Sequence, residues 1–216
     1  ISEASCVNMR NRLIYFPHRL GQKKLGVENT PTIMKEILKT PYKEVACKHA
    51  FGRKKKNLFS NLQNLYAMNA SVEGSRINIG GDHSMSIATV AYSLNQVKDP
   101  NELKVLWFDA HPDVNTYTSS HSKNYHGMPL AFVSGLCTQS KFSFIRNRLN
   151  LKNVMYIGIR DIDPYEQNVI DNYNIQHLDS SYVNKKLYSA IERIKAFIGT
   201  SPIHISFDVD CIDPFT

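Results

Sequence analysis

Short apolar runs punctuate the chain, and stretches of helical periodicity separate them. Arg12–Phe16 (R-L-I-Y-F), Arg76–Ile79, Val105–Phe108, Val154–Ile159 and Ile203–Phe207 are brief, apolar and rich in β-branched or aromatic residues, which predicts strands. Ile175–Leu178 is a weaker strand candidate. Thr30-Pro31 opens a helix, with threonine as N-cap and proline in the first turn, running to about Lys39 ahead of Pro41. Helical spacing recurs over Leu58–Met68 and from about Met85, where Ile87, Val90, Leu94 and Val97 share a face. Leu130–Gly135 resumes apolar character as a helix, Glu166–Tyr173 reads as a short helix, and Leu187, Ile191, Ile194 and Ile198 mark an amphipathic helix that ends near Gly199. Residues 41–60 read as charged and irregular. Strands alternating with helices predict an α/β fold with a mostly parallel sheet and right-handed crossovers. No repeat or low-complexity linker marks a domain boundary, so residues 1–216 read as one domain.

The polar residues that follow the apolar runs change the picture. Lys104–Asn115 reads K-V-L-W-F-D-A-H-P-D-V-N, an apolar run that turns abruptly to Asp109, His111 and Asp113. In extended chain, alternate side chains point the same way, so these three converge at the carboxyl end of a strand, where open α/β sheets place their sites. The bland alternative is a strand followed by a polar turn. Gly80-Gly81-Asp82-His83-Ser84 lies at a strand-to-helix junction, its glycines suited to a tight turn or a close backbone approach. Taken alone, His83 is better read as a helix-capping or core histidine than as a ligand. Asp208 and Asp210 follow the last strand, and Asp161, Asp163 and Glu166 follow the one at Val154–Ile159. Thr116–His126 is a polar stretch with little to bury, which fits a binding loop or a plain surface loop.

On one rim of a parallel sheet, His83, Asp109, His111, Asp113, Asp208 and Asp210 bring together carboxylates whose mutual repulsion and desolvation cost several kcal/mol without a cation. So many ligands, several able to bridge, suit two divalent ions, and the oxygen-rich set without an evident cysteine leans to Mn²⁺ over Zn²⁺. Two such ions sharing a water make hydrolysis chemistry accessible at neutral pH.

Composition narrows the remaining classes. The chain has 216 residues, 42% hydrophobic and 21% charged, ordinary for a globular protein with a real core. No apolar run approaches the roughly 18–20 residues of a membrane span, so no membrane association is expected. Cys6, Cys47, Cys137 and Cys211 are scattered without a C-x-x-C pair, which fits a reducing, cytoplasmic compartment. The net charge of +7 and the run Arg53-Lys54-Lys55-Lys56 admit nucleic-acid binding. The run is single and lacks interleaved aromatics, so a solvated loop is the better reading and no nucleic-acid partner is expected. The chain starts at Ile1 and stops at Thr216, two residues after a motif, and reads as a portion of a longer one.

G-G-D-H-S at 80–84, D-A-H-P-D-V-N at 109–115, S-K-N-Y-H-G-M-P at 122–129, R-D-I-D-P-Y-E at 160–166 and S-F-D-V-D-C-I-D-P at 206–214 together resemble the ureohydrolase family, most of all the arginases. The resemblance begins at G-V-E-N-T-P (26–31) and keeps family order to the end. It implies a three-layer α/β/α domain, arginase-like and C-terminally incomplete. It implies two Mn²⁺, one held by His83, Asp109, Asp113 and Asp208, the other by Asp109, His111, Asp208 and Asp210, with Asp109 and Asp208 bridging. A metal-bridging hydroxide would attack the guanidinium carbon of L-arginine and give L-ornithine and urea. Asp113 would accept a hydrogen bond from that hydroxide. His126 would shuttle protons at the leaving amine. Asn115, Ser122 and Asn124 would bind the substrate α-carboxylate, and Asp163 and Glu166 its α-ammonium. The full-length family assembly implied is a homotrimer.

Two departures stand out. Lys123 occupies a place where arginases commonly have glycine. The later family motif G-G-x-T-x-x-E is absent, which would leave strand edges unpaired and make the 216 residues fold poorly alone. Other ureohydrolases, of the agmatinase or formimidoylglutamase type, are the nearest alternative function, and a non-catalytic binding module on the same fold is the alternative from another class.

Overall fold

The computed structural model describes residues 12–38, 43–45 and 57–212. The basic run at 53–56, Cys6, Cys47, Lys39 and Asp213-Pro214 lie outside the described residues. The chain divides into two compact units, Ile1–Asp82 and His83–Thr216.

The first unit holds a parallel three-stranded sheet. Its strands are β1 (Arg12–Phe16), β2 (Lys43–Val45) and β3 (Arg76–Gly80), in the order β2-β1-β3. Helix α1 (Thr30–Ile37) begins one residue earlier than the sequence suggests: Asn29 is the N-cap, Thr30 is the first helical residue, and Pro31 lies in the first turn, where its missing N–H costs nothing. Helix α2 (Leu58–Ala70) is capped by Asn57, whose side chain accepts from the Phe59 N–H, and it buries Leu62 and Leu65 completely. Strand β2 falls within the stretch read as irregular. Three residues of mixed charge carry no legible pattern, and only pairing with β1 makes them a strand. After β3, a Cβ on Gly81 would lie 1.9 Å from the His18 carbonyl oxygen, so only glycine allows this close approach. The contact is fixed by the Asp82 N–H donating to that same oxygen at 2.9 Å.

The second unit is a three-layer sandwich. Strands β4 (Lys104–Phe108), β5 (Val154–Ile159), β6 (Gln176–Asp179) and β7 (Ile203–Phe207) form a parallel sheet in the order β6-β5-β4-β7. Side chains alternate between its faces. Leu106, Met155, Ile157 and Leu178 form one face and pack with Tyr182 and Val183 of α6 (Ser180–Lys185) and Ile194, Phe197 and Ile198 of α7 (Leu187–Ile198). The short α6 has no sequence periodicity of its own, and its N-terminus is set by Asp179, whose side chain accepts from the Tyr182 N–H. On the other face, His204 and Ser206 of β7 bond to Ser93 and Ser86 of α3 (Ser86–Gln96). Helices α4 (Pro129–Ser134) and α5 (Pro164–Tyr173) complete the unit. Strand β5 is buried along its whole length, as its unbroken apolar run requires. No helix among the described residues is long and apolar enough to cross a membrane.

Candidate metal centre

Strands β4 and β7 run in register, with Phe108 opposite Phe207, so the residues that follow, Asp109 and Asp208, emerge side by side at the carboxyl rim. The convergence of Asp109, His111 and Asp113 has a different cause from the one expected. The chain leaves extended geometry at Phe108, bends through 109–111, and places Asp113 at φ 51. A left-handed non-glycine residue is strained, and such strain concentrates at functional positions. Hydrogen bonds hold the bend. Asp109 Oδ1 accepts from the His111 N–H at 2.8 Å, the Ala110 carbonyl accepts from Arg160 and Asp161, and the Asp113 carbonyl accepts from Leu130. Gly158, at φ 91 in a bulge of β5, leaves room for the turn at Val209–Cys211, where a Cβ would come within 3.3 Å of the Cys211 carbonyl. That turn presents Asp210, whose Oδ1 accepts from the Ala110 N–H at 3.0 Å.

His83 comes from the 3-10 turn His83–Met85 that leads into α3. Its Nδ1 lies 2.9 Å from Asp109 Oδ2, 2.9 Å from Asp113 Oδ2 and 3.5 Å from Asp208 Oδ2. It is buried, yet it makes no aligned hydrogen bond with any of them. A nitrogen crowded by carboxylate oxygens but bonded to none is arranged around a point, not in a hydrogen-bonded pair. That geometry fits a cation. Ligand atoms within 4.8 Å of one another form two triads, His83/Asp109/Asp113 and Asp109/His111/Asp210, which share Asp109. The first is buried and the second half-exposed. Asp208 Oδ1 accepts from the Asp210 N–H at 3.1 Å, and its other oxygen faces His83 from outside both triads.

The charges in the cluster are strongly coupled. Burial opposes a charge on His83, but Asp109 and Asp113 outweigh it and raise its pKa well above the ordinary value. Asp109 and Asp210 push His111 up to about 11. Burial, and then the charge of Asp109, push Asp113 up to about 8. Burial pushes Glu166 up to about 7 and raises Asp208. Protons held on the two histidines and raised pKa values at Asp113, Asp208 and Glu166, beside a lowered one at Asp109, fit a site that a divalent ion could occupy by displacing those protons.

Two residues that sequence reading passed over belong to this centre. Trp107 donates Nε1–H to Asp109 Oδ2 at 3.1 Å and stacks on His83 at 4.4 Å. Ser206 lies 2.8 Å from His83 Nε2 and 3.0 Å from Ser86 Oγ. With Nε2 engaged by a hydroxyl, Nδ1 is left to face the carboxylates. Trp107 looked like core because it completes an apolar run. Ser206 carried a usable signal, since it precedes Asp208 by two and shares its side of the chain.

The other expected site residues gather around the loop that leaves the cluster. Asn115 donates Nδ2–H to Asp163 Oδ2 at 2.8 Å, so the groups assigned to opposite ends of a substrate backbone touch each other. Glu166 is buried, and its two oxygens accept from the Val114 N–H at 3.1 Å and the Asp163 N–H at 3.2 Å. Ser122 is exposed, and its Oγ accepts from the Asn124 N–H at 3.2 Å. His126 sits half-buried in the 3-10 turn Tyr125–Gly127. That turn borders the cluster, since a Cβ on Gly127 would be 3.9 Å from Asp113 Oδ1. Tyr125, stacked on Phe132 at 5.5 Å, anchors it to α4. Cys137 and Cys211 are free thiols that burial pushes up to about 11, which removes thiolate chemistry at neutral pH.

A parallel α/β sandwich with carboxylates and imidazoles at the carboxyl rim of its strands defines a class, that of α/β proteins with a ligand site, here a candidate metal centre, at the strand ends. The arginase family model matches residues 17–216. An arginase of Entamoeba histolytica is 36% identical over 224 residues, covering 93% of this chain and 75% of that protein. An arginase of Neurospora crassa is 38% identical over 147 residues, 64% of this chain but only 41% of the fungal protein. The crystal structure of the Entamoeba histolytica arginase in complex with L-ornithine superposes with a TM-score of 0.84 at 33% identity, covering 96% of this chain and 78% of that one. The chain belongs to the arginase family of hydrolases and has its α/β fold, as its motifs implied.

Proposed function

We propose that this protein hydrolyses L-arginine to L-ornithine and urea with a pair of Mn²⁺ ions as cofactor. The observation that carries the reading is the buried His83 Nδ1, surrounded by carboxylate oxygens and bonded to none, in a chain of the arginase family. The names of its relatives, and the L-ornithine in the Entamoeba histolytica complex, support the choice of substrate. The oxygen-rich donor set supports Mn²⁺. His83, Asp109, Asp113 and Asp208 would hold one ion, and Asp109, His111, Asp208 and Asp210 the other. Bound there, divalent ions offset the carboxylate charge and make a water acidic enough to serve as nucleophile near neutral pH.

The protein's own groups do the rest. Asp113 orients the attacking water by accepting its hydrogen bond. Water adds to the guanidinium carbon, the C–Nε bond breaks, and His126 delivers the proton that the departing amine needs. Asn115, Ser122 and Asn124 offer neutral donors to the α-carboxylate. Asp163 offers its carboxylate to the α-ammonium. Glu166, with both oxygens engaged by backbone N–H groups, acts on the ammonium by holding Asp163 and the 113–115 bend in place. Urea release from L-arginine and from agmatine, measured on the Mn²⁺-loaded full chain, tests the reading. Urea from arginine is the expected result. Urea from agmatine alone would move the substrate to the neighbouring ureohydrolases, and none from either with two ions bound would overturn the catalytic reading.

A further inference from the structure

The loop from Asn115 to Asn124 is tied together by a residue that the reaction above does not use. Lys123 donates its ammonium to the Tyr117 carbonyl at 2.7 Å, has the Thr118 carbonyl at 3.4 Å, and lies 5.5 Å from the Tyr117 ring. Its own N–H donates to Ser120 Oγ at 3.1 Å. These tethers close 117–123 into a ring. The other end of the loop is fixed separately, since Ser119 Oγ donates to Asn115 Oδ1 at 2.8 Å and accepts from the Thr116 N–H at 2.8 Å. Lys123 itself sits at φ 56. A lysine held in the left-handed region is strained, and it stays there only where its surroundings over-determine it. Here its own side chain supplies the constraint. The two neighbours that it spaces apart in the chain are Ser122 and Asn124, both assigned to the substrate carboxylate.

We propose that Lys123 is a positioning residue: its ammonium latches the loop, presets Ser122 and Asn124, and so sets the preference for substrates that carry an α-carboxylate. The proposal deepens the arginine reading and rests on it for the identity of the carboxylate. The latch uses charge on backbone carbonyls, not on the ligand, so it acts before substrate arrives.

Lys123→Met keeps the Cβ and the stem, and hence the left-handed strain, but removes the donor. Lys123→Arg keeps a cationic donor. Lys123→Gly removes strain and donor together. On the Mn²⁺-loaded full chain, the Met variant is expected to raise KM for L-arginine about fivefold to tenfold while kcat changes less than about twofold, the pattern of a lost binding contribution. The inhibition constant of agmatine, which has no carboxylate, should stay put. Amide hydrogen exchange across 115–124 should speed up in the ligand-free Met and Gly variants, and Arg should restore both readouts. A KM that rises with unchanged exchange would mean that Lys123 touches the carboxylate itself, and would overturn the latch. Equal losses for arginine and agmatine would mean general damage, and would also overturn it, as would a Gly variant that outperforms the lysine. If the unaltered protein releases no urea from arginine, the functional reading fails. The exchange experiment still decides the latch.

Discussion

His83 and His204 each have one ring nitrogen 2.8 Å from a serine hydroxyl, Ser206 for the first and Ser93 for the second. Both lie on the α3 side of the four-stranded sheet. Their electrostatics are opposite. Asp109 and Asp113 overcome burial and hold the proton on His83, whereas burial and the nearby positive His83 push His204 down to about 4. A serine partner does not by itself distinguish a candidate ligand from a packing histidine. What distinguishes them is the company of the second nitrogen: carboxylates at 2.9 Å beside His83, and no carboxylate among the influences on His204. The difference also fixes what a cation would do. It would take the place of a proton at His83, and it has no role at His204.

Removing the carboxylate that both triads share is the harshest way to break this contrast. Asp109→Asn should lose both ions, and urea release should fall by more than the roughly 10–100-fold typical of partners outside the ligand set. Metal content by elemental analysis, read beside turnover, checks it. One ion retained at full affinity would show that the two triads do not share Asp109. His126→Ala separates chemistry from metal binding. Both ions should remain, with turnover slowed by about 10²-fold or more, as for a lost acid–base group. Loss of manganese in that variant would overturn the role given to His126.

The sequence made one of these histidines legible and hid the cause. Alone, His83 reads as a cap or core histidine; the carboxylates expected on the same rim and the motifs in family order are what single it out. The strands that set the rim, β4, β5 and β7, were readable because each is a dense apolar run. The geometry of the rim was not readable. Alternation suggested that Asp109, His111 and Asp113 converge in extended chain, but convergence comes from a bend and a left-handed Asp113, held by bonds to residues such as Arg160 and Leu130 that are distant in sequence. Strand β2 and helix α6 escaped for the same reason, since partners elsewhere in the chain define them more than their own pattern does. Trp107 was hidden in a run that looked like core, whereas the place of Ser206 two residues before Asp208 was a signal the sequence did offer.

Ser206→Ala sharpens the comparison at the His83 end alone. It leaves Nδ1 among its carboxylates but removes the hydroxyl that engages Nε2, and losing such a partner typically costs about 10–100-fold in metal affinity. A chelator-buffered titration should show the loss at one of two sites, with the other unmoved. Ser206→Thr should recover most of it. Equal affinity in serine and alanine forms would mean that Trp107 stacking alone orients the ring.

The smallest effect is expected at His204, and it is one of pH. The folded protein holds His204 near 4, below the ordinary 6.5, so the unfolded chain binds its proton first as pH falls. The neutral, half-buried imidazole therefore contributes fully above about pH 6.5, and that contribution is lost as pH drops towards 4, with a slope of at most about 1.4 kcal/mol per pH unit for one proton. His204→Gln keeps a polar partner for Ser93 without a titrating group. It should cost little at pH 7 and lose less stability than the parent between pH 6.5 and 4. Metal release at low pH destabilises both proteins alike, so the difference between their denaturation midpoints across that range isolates His204. Parallel midpoint curves would show that His204 takes up its proton as easily folded as unfolded, and the contrast with His83 would then rest on the carboxylates alone.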